Sequence, residues 1–256
     1  MRRRSLLDIL CSLYPGKTRE QHLASVLCGE VFVEGERVRD PRRLFASGAE
    51  VSFAEKAYVS RGGGKLEAAL EAWDVKVTGK TVLDAGCGSG GFTHCLLERG
   101  AAFVHAVDVG YGQIHPSLRA DPRVLLREKT NIMSIHALSP QPAFAVCDLS
   151  FRSLRGAARH IAGLTEEGRL IALVKPQFEW ESPPADFDGV VRSPAALRDI
   201  LGALAGALEA EGVFAADLIE SPVRGHSGNR EFLFDVNTAQ GLDADSLRGK
   251  IAALIV

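Results

Sequence analysis

The sequence predicts an α/β protein: a Rossmann-like, doubly wound sheet, mostly parallel with one antiparallel strand, preceded by a small α+β unit. Three observations point there. From Thr81 onwards, short apolar runs alternate with helical or loop segments, the pattern of a parallel sheet with crossover helices. A glycine-rich turn, "DAGCGSGG", sits where the first of those runs meets its helix. The first quarter of the chain has another texture, with two short helices, a hairpin and a basic balance.

Taken in order, Leu6, Leu7, Ile9, Leu10 and Leu13 recur at helical spacing after "RRR", and Pro15 with Gly16 stops the run. Thr18 and Gln21 form a capping box that opens a second helix through Leu23, Val26 and Leu27 to Gly29. His22 on that helix reads as a partly exposed position. "VFVEGERV" reads as strand, turn and strand about Glu34 and Gly35, and "AEVSF" as a further short strand. Beyond the glycine-rich stretch "SRGGGK", the apolar runs "TVLDAG", "FVHAVDV", "RVLLRE", "AFAVCDLSF" and "RLIALVKPQF" are the strands of the larger sheet. Residues 194–211 read as a long helix, and "VFAADLIESP" with "REFLFDV" as a terminal strand pair. "ESPPADFDG" and "RGHSGN" read as loops beside the carboxyl edge.

At 256 residues and 46% hydrophobic, the chain can bury a substantial core. No uncharged apolar run approaches the roughly 20 residues that span a bilayer. The opening "MRRRSLLDILCSLYPG" imitates a secretion signal but is short, broken by Asp8 and without a small-residue cleavage pattern. Five cysteines, an odd number without a CxxC pair, fit a reducing cytoplasm and no structural zinc or other metal. Residues 1–61 hold 11 Lys+Arg against 8 Asp+Glu, while the rest holds 19 against 24. That asymmetry points to a nucleic-acid-binding module at the front.

The glycine loop leaves two cofactors open. Gly86, Gly88 and Gly91 satisfy GxGxxG, and Asp108 lies 20 residues beyond Gly88, which matches a dinucleotide fingerprint. Asp84 favours another ligand, because a carboxylate two residues before the first glycine repels a pyrophosphate and attracts an ammonium. S-adenosyl-L-methionine carries one, and Asp108 is expected to accept its ribose hydroxyls. The candidate cofactor contacts are Asp84, Gly86, Gly88, Gly90, Gly91, Phe92, Thr93, Asp108 and Asn131.

Lys65, after three glycines, is not the lysine of a phosphate loop. GxxxxGK[ST] needs glycine where Val59 stands and Ser or Thr where Leu66 stands. Asp148 and Lys175 end otherwise apolar strands, at the edge where ligands bind in such sheets, and Glu231 begins an apolar run that can face the same crevice. Methyl transfer to a ribose hydroxyl calls for a base, and a lysine serves only if burial and a second cation lower its pKa to about 7–8. Lys65 is the expected second cation to Lys175.

Together "YVSRGGGKLEAAL", "DAGCGSGGFT", "AVDVGYGQI", "CDLSFRSL", "LVKPQFE" and "SPVRGHSGNREFL" resemble the TlyA family, also called hemolysin A, through nearly the whole chain. The resemblance implies an S-four-type RNA-binding domain at 1–57, a glycine-rich linker at 58–64 and an FtsJ-like methyltransferase domain at 65–256. It implies an S-adenosyl-L-methionine-dependent 2′-O-methyltransferase acting on ribosomal RNA or ribosomal subunits, at cytidine, in the cytoplasm. It also implies a Lys-Asp-Lys-Glu tetrad at Lys65, Asp148, Lys175 and Glu231, with Lys175 the base. Arg2, Arg3, Arg4, Arg19, Arg37, Arg39, Arg42 and Arg43 are the expected RNA phosphate contacts. The chain departs from the family's common pattern at Gly88 with Ser89, at Asp40 before Pro41, and at His22. Other readings are a membrane-lytic protein, a ribosome-assembly binder without catalysis and a nicotinamide enzyme; filled tetrad positions and the lack of a spanning or basic amphipathic segment favour the methyltransferase.

Overall fold

A computed structural model describes residues 3–16, 18–27, 31–46, 48–53, 58–150, 152–225 and 227–255. The chain falls into two compact units, Met1–Ala57 and Tyr58–Val256.

The first unit comprises β1 (Arg3–Ser5), α1 (Leu6–Leu13), α2 (Arg19–Leu27), β2 (Val31–Val33), β3 (Glu36–Val38), β4 (Leu44–Ala46) and β5 (Val51–Phe53). Ser5 caps α1 by accepting from the Asp8 amide, and α1 turns Leu6, Leu7, Ile9 and Leu10 inward. The capping box of α2 is present: the Thr18 amide donates to Gln21 Oε1 at 2.8 Å and the Gln21 amide to Thr18 Oγ1 at 3.2 Å. The expected end of α2 at Gly29 lies outside the described residues. Glu34 and Gly35 both take positive φ, 51° and 77°, which closes β2 onto β3 as a two-residue hairpin. β5 pairs with β2 from the other side, while β1 pairs antiparallel with β4, a ribbon that the sequence pattern does not predict. His22 corrects an expectation: it is fully buried, and Nε2 donates to the Tyr14 carbonyl at 3.0 Å, where α1 ends.

The second unit holds α3 (Gly62–Ala72), β6 (Thr81–Ala85), α4 (Gly91–Glu98), β7 (Phe103–Val107), α5 (Pro116–Arg119), β8 (Val124–Arg127), β9 (Phe144–Cys147), α6 (Ala158–Gly163), β10 (Arg169–Val174), α7 (Pro176–Glu179), α8 (Pro194–Ala210), β11 (Phe214–Glu220), β12 (Phe232–Asn237) and α9 (Ala244–Leu254). Among the described residues the strands order as β11-β12-β10-β9-β6-β7-β8. β12 runs antiparallel to both neighbours and the other pairings are parallel, as the sequence predicts. Alternate residues feed opposite faces. Leu83, Ala85, Ala145, Cys147 and Leu170 join the core beneath α6, α8 and α9, while Val82, Phe144, Val146 and Ile171 join the core beneath α3, α4 and α5. Burial on both faces is why these strands read as nearly continuous apolar runs.

Two expectations about boundaries change. Gly62–Gly64, assigned to a linker, form the first turn of α3, whose inner face is Gly63, Lys65, Leu66, Ala69 and Leu70. Leu66 and Leu70, at 0% and 1% exposure, contribute about 1.5–3 kcal/mol each and hold that turn in place. Residues 176–178, read as the end of a strand, turn instead into α7, because Pro176 cannot donate to a sheet ladder and suits the first position of a helix. Among the described residues no helix is long and apolar enough to cross a membrane.

Candidate active site

The carboxyl edge of the sheet is built from the ends of β6, β7, β9 and β10. Ala85 is level with Cys147 and with Val107, so Gly86, Asp108 and Asp148 leave three neighbouring strands at one height. β12, running the other way, adds its beginning to the same edge: Val174 pairs with Phe232, which sets Lys175 opposite Glu231.

A cavity of about 620 Å³ opens above this edge. Its wall includes Gly86, Gly88, Gly91, Phe92, Asp108 and Asn131 of the expected cofactor contacts, together with Asp148 of the expected tetrad. Gly86 must be glycine twice over, since φ is +83° and a Cβ would stand 2.6 Å from the Asp148 carbonyl oxygen. Asp108 is oriented by two amides, Gly88 to Oδ2 at 2.8 Å and Gly110 to Oδ1 at 2.6 Å, and each oxygen keeps a lone pair for a ligand hydroxyl. Asn131 caps a short turn by accepting from the Met133 amide at 3.0 Å.

Three expected contacts are not in the wall. Gly90 is the left-handed N-cap of α4, φ +93°, and a Cβ there would meet Leu118 at 2.3 Å. Asp84 and Thr93 are fully buried behind the loop, where Thr93 Oγ1 donates to Asp84 Oδ2 at 2.6 Å. Asp84 Oδ1 has no hydrogen-bond partner. Burial raises the Asp84 pKa to about 7 against the Thr93 hydrogen bond, and the negative charges of Asp148 and Asp108 add to the rise.

The four tetrad positions come together as two ion pairs. Lys65 Nζ meets Glu231 Oε2 at 2.5 Å, with side-chain exposures of 11% and 4%. Lys175 Nζ lies 2.6 Å from Asp148 Oδ1 and donates to Ser150 Oγ at 2.9 Å. Each ammonium therefore has its own carboxylate, Glu231 for Lys65 and Asp148 for Lys175. Gly225 lies against Glu231: a Cβ there would fall 2.4 Å from Oε1. Lys65, Lys175 and Glu231 are not themselves in the cavity wall; Asp148 and Ser150 both line it and hold Lys175.

Ser60, Gly62, Ser150 and Arg152 also line the cavity, and none of them stands out in the sequence as a site residue. Ser150 and Arg152 belong to "CDLSFRSL", where their polarity beside Asp148 is the available signal. Ser60 and Gly62 give none, because their nearness depends on α3 packing on α4: a Cβ on Gly91 would stand 2.3 Å from Ser60 Oγ.

Of the expected RNA contacts, Arg2 lies outside the described residues. Arg3 and Arg4 are on β1, and Arg42 and Arg43 precede its partner β4, so these four gather at one ribbon. Arg37 on β3 stacks over Phe32 at 5.2 Å, and Arg39 and Arg42 stand exposed. Arg19 and Arg43 are engaged by carboxylates, Asp8 at 2.9 Å and Glu36 at 2.9 Å.

The FtsJ-like methyltransferase family matches residues 58–237. A Mycobacterium tuberculosis protein named 16S/23S rRNA (cytidine-2′-O)-methyltransferase TlyA is 37% identical over 228 residues, 87% of this chain and 85% of that protein. Hemolysin A of Brachyspira hyodysenteriae is 34% identical, over 81% of this chain and 89% of its own. A solved hemolysin-like structure from Streptococcus thermophilus superimposes with a TM-score of 0.72 at 33% identity, covering 99% of this chain and 96% of that one. The match of the second unit to the one family, and of most of the chain to these relatives, makes this chain a member of the TlyA (hemolysin A) family of FtsJ-like methyltransferases.

Proposed function

We propose that the protein transfers a methyl group from S-adenosyl-L-methionine to a ribose 2′-hydroxyl of ribosomal RNA, at cytidine, in the cytoplasm. The observation that carries the reading is the Lys175–Asp148 pair, with Ser150, joined to the wall of a cavity shaped by the glycine loop. The residues suit the cofactor. Asp84 Oδ1, a buried acceptor without a partner, fits an ammonium group; Asp108 keeps lone pairs for ribose hydroxyls; and the open backbone at Gly88 leaves room for a ligand to lie close. When bound, S-adenosyl-L-methionine supplies an electrophilic methyl group.

The chain's own residues do the rest. Lys175 takes the proton of the 2′-hydroxyl at Nζ, and Asp148 with Ser150 keeps that nitrogen at the cavity wall. Lys65, fixed by Glu231, helps to orient the target ribose. The arginines of the first unit, Arg3, Arg4, Arg19, Arg37, Arg39, Arg42 and Arg43, dock the RNA backbone, with Arg37 and Arg43 offering guanidinium planes already stacked on Phe32 and Phe45.

Mapping 2′-O-methyl groups on ribosomal RNA from cells with and without the protein tests the reading, alongside tritium transfer from labelled cofactor to ribosomal subunits. A methyl group that appears only with the protein, on a cytidine ribose, is the expected result. Methylation of a base, or none, overturns it. RNA binding without transfer would return the chain to the assembly-factor reading.

A further inference from the structure

Glu179 is a buried carboxylate, 4% exposed, that the chemistry above does not use. It ends α7, the single helical turn whose N-cap is Lys175. Oε1 accepts the Leu154 amide at 2.8 Å, and Oε2 accepts the Ser153 hydroxyl at 2.5 Å. Ser153 Oγ in turn accepts the Arg155 amide at 3.1 Å, and Arg155 Nη1 donates to the Glu179 carbonyl at 3.1 Å. Burial pushes the Glu179 pKa upward, opposed by the two hydrogen bonds and by Arg155.

These contacts join the same two segments that meet at the base. Residues 148–155 carry Asp148, Ser150 and the wall residue Arg152; residues 175–179 carry Lys175. At one end the segments are joined by Lys175 to Asp148 and Ser150. At the other they are joined by Glu179 to Ser153 and Leu154. The first set of joints is made by the very nitrogen that takes the substrate proton. The second involves no group that touches substrate, so it can hold the segments in register throughout.

We propose that Glu179 is a positioning residue for methyl transfer. It fixes the 153–155 turn to α7 and thereby sets where the Lys175 amine stands relative to the cavity wall. The proposal rests on Lys175 as the proton acceptor. A carboxylate that only capped the 154–157 turn would affect stability and leave the catalytic step alone, so the two roles separate in kinetics.

The test compares Glu179→Ala, Glu179→Gln and Ser153→Ala in the full-length protein, by single-turnover methyl transfer to ribosomal subunits at saturating cofactor. Glutamine keeps an acceptor for the Leu154 amide and an amide group to pair with Ser153 Oγ, so Glu179→Gln should stay within a few-fold of the unmodified protein. Glu179→Ala should lower the rate between about 10- and 100-fold, as expected for small misplacement of a reacting group, with affinities for cofactor and subunit unchanged. Ser153→Ala should fall between the two. Hydrogen exchange followed by mass spectrometry gives a readout that needs no activity: Glu179→Ala should speed exchange in 149–155 and 175–180 while β6 and β7 stay protected. Unchanged exchange there, a rate for Glu179→Ala equal to that of Glu179→Gln, or a loss confined to substrate affinity overturns the proposal. Absence of any transfer by the unmodified protein overturns instead the reading on which it rests, and the exchange data then decide the tie by themselves.

Discussion

Replacing Asp84 by asparagine separates a buried charge from the hydrogen bond it makes. Thr93 can still donate to the amide oxygen, and the volume is nearly the same, so the change is the loss of an ionisable group at a site with no solvent access. In the folded protein the Asp84 pKa stands at about 7 against an ordinary 3.8, a rise of about 3 units at about 1.4 kcal/mol each, so the group is worth roughly 4 kcal/mol across its full titration. The sign follows from the direction. A raised pKa favours the neutral folded form, so the contribution is complete below pH 4 and is lost as pH climbs through 7. The unmodified, cofactor-free protein should therefore lose stability relative to Asp84→Asn over that window, with the difference growing by up to about 4 kcal/mol. Urea unfolding of both proteins at pH 4.5, 6 and 7.5 measures it, and taking the difference cancels groups common to both. Saturating S-adenosyl-L-methionine should flatten the difference by giving the carboxylate a cationic partner. A cofactor-free difference that does not move with pH would show that Oδ1 has a partner after all, and Asp84 would then be no unsatisfied buried acceptor awaiting an ammonium.

Lys65→Ala leaves Glu231 buried without its cation, so it should cost about 3–5 kcal/mol in unfolding experiments, while Lys65→Met with Glu231→Leu should recover most of that. Neither should methylate: single-turnover rates on the folded fraction are expected to drop by a factor on the order of 10² or more, and a rate within a few-fold of normal would make Lys65 purely structural. Gly86→Ala should abolish cofactor binding by calorimetry, because its Cβ would stand 2.6 Å from the Asp148 carbonyl; retained affinity would refute the close approach. Removing residues 1–57 should leave cofactor affinity intact and weaken RNA binding, with the salt dependence falling by about one unit of log slope for each phosphate no longer neutralised. RNA affinity that survives the deletion would place docking elsewhere.

What is legible in the sequence follows from where local pattern and function coincide. Strands buried on both faces advertise themselves as apolar runs, and the polar residue that ends each one, Asp148 or Lys175, stands out against them. The two-residue turn at Glu34 and Gly35 and the Thr18–Gln21 box are legible because their chemistry lies within four residues. Other features depend on distant neighbours. His22 reads as half-exposed because nothing adjacent in sequence announces the Tyr14 carbonyl that receives its proton. Gly62–Gly64 read as a linker by composition, yet Gly63 is glycine because a Cβ there would run into Tyr58, and its helix is held by packing of Leu66 and Leu70 rather than by propensity. The position of Asp84 before the glycines suggests a ligand contact; that Thr93 takes one of its two oxygens depends on α4, nine residues on. Which carboxylate each lysine takes is likewise invisible, since Lys65 and Glu231 are separated by 166 residues.

That separation has a consequence for how the enzyme comes into being. Lys65 enters the growing chain early, on the first helix of the methyltransferase unit, and its partner arrives only just before β12, the last of the described strands, which lies between β10 and β11 and runs antiparallel to both. Until residue 231 has been synthesised, the helix that carries Lys65 cannot settle against the sheet without burying an ammonium that lacks this counter-charge, which costs free energy. The Lys175–Asp148 half of the tetrad forms sooner, from neighbouring parallel strands. In a polypeptide still being translated, Lys175 can therefore meet Asp148 before Lys65 has its counter-charge, and β12, the last strand of the described sheet, completes the second ion pair.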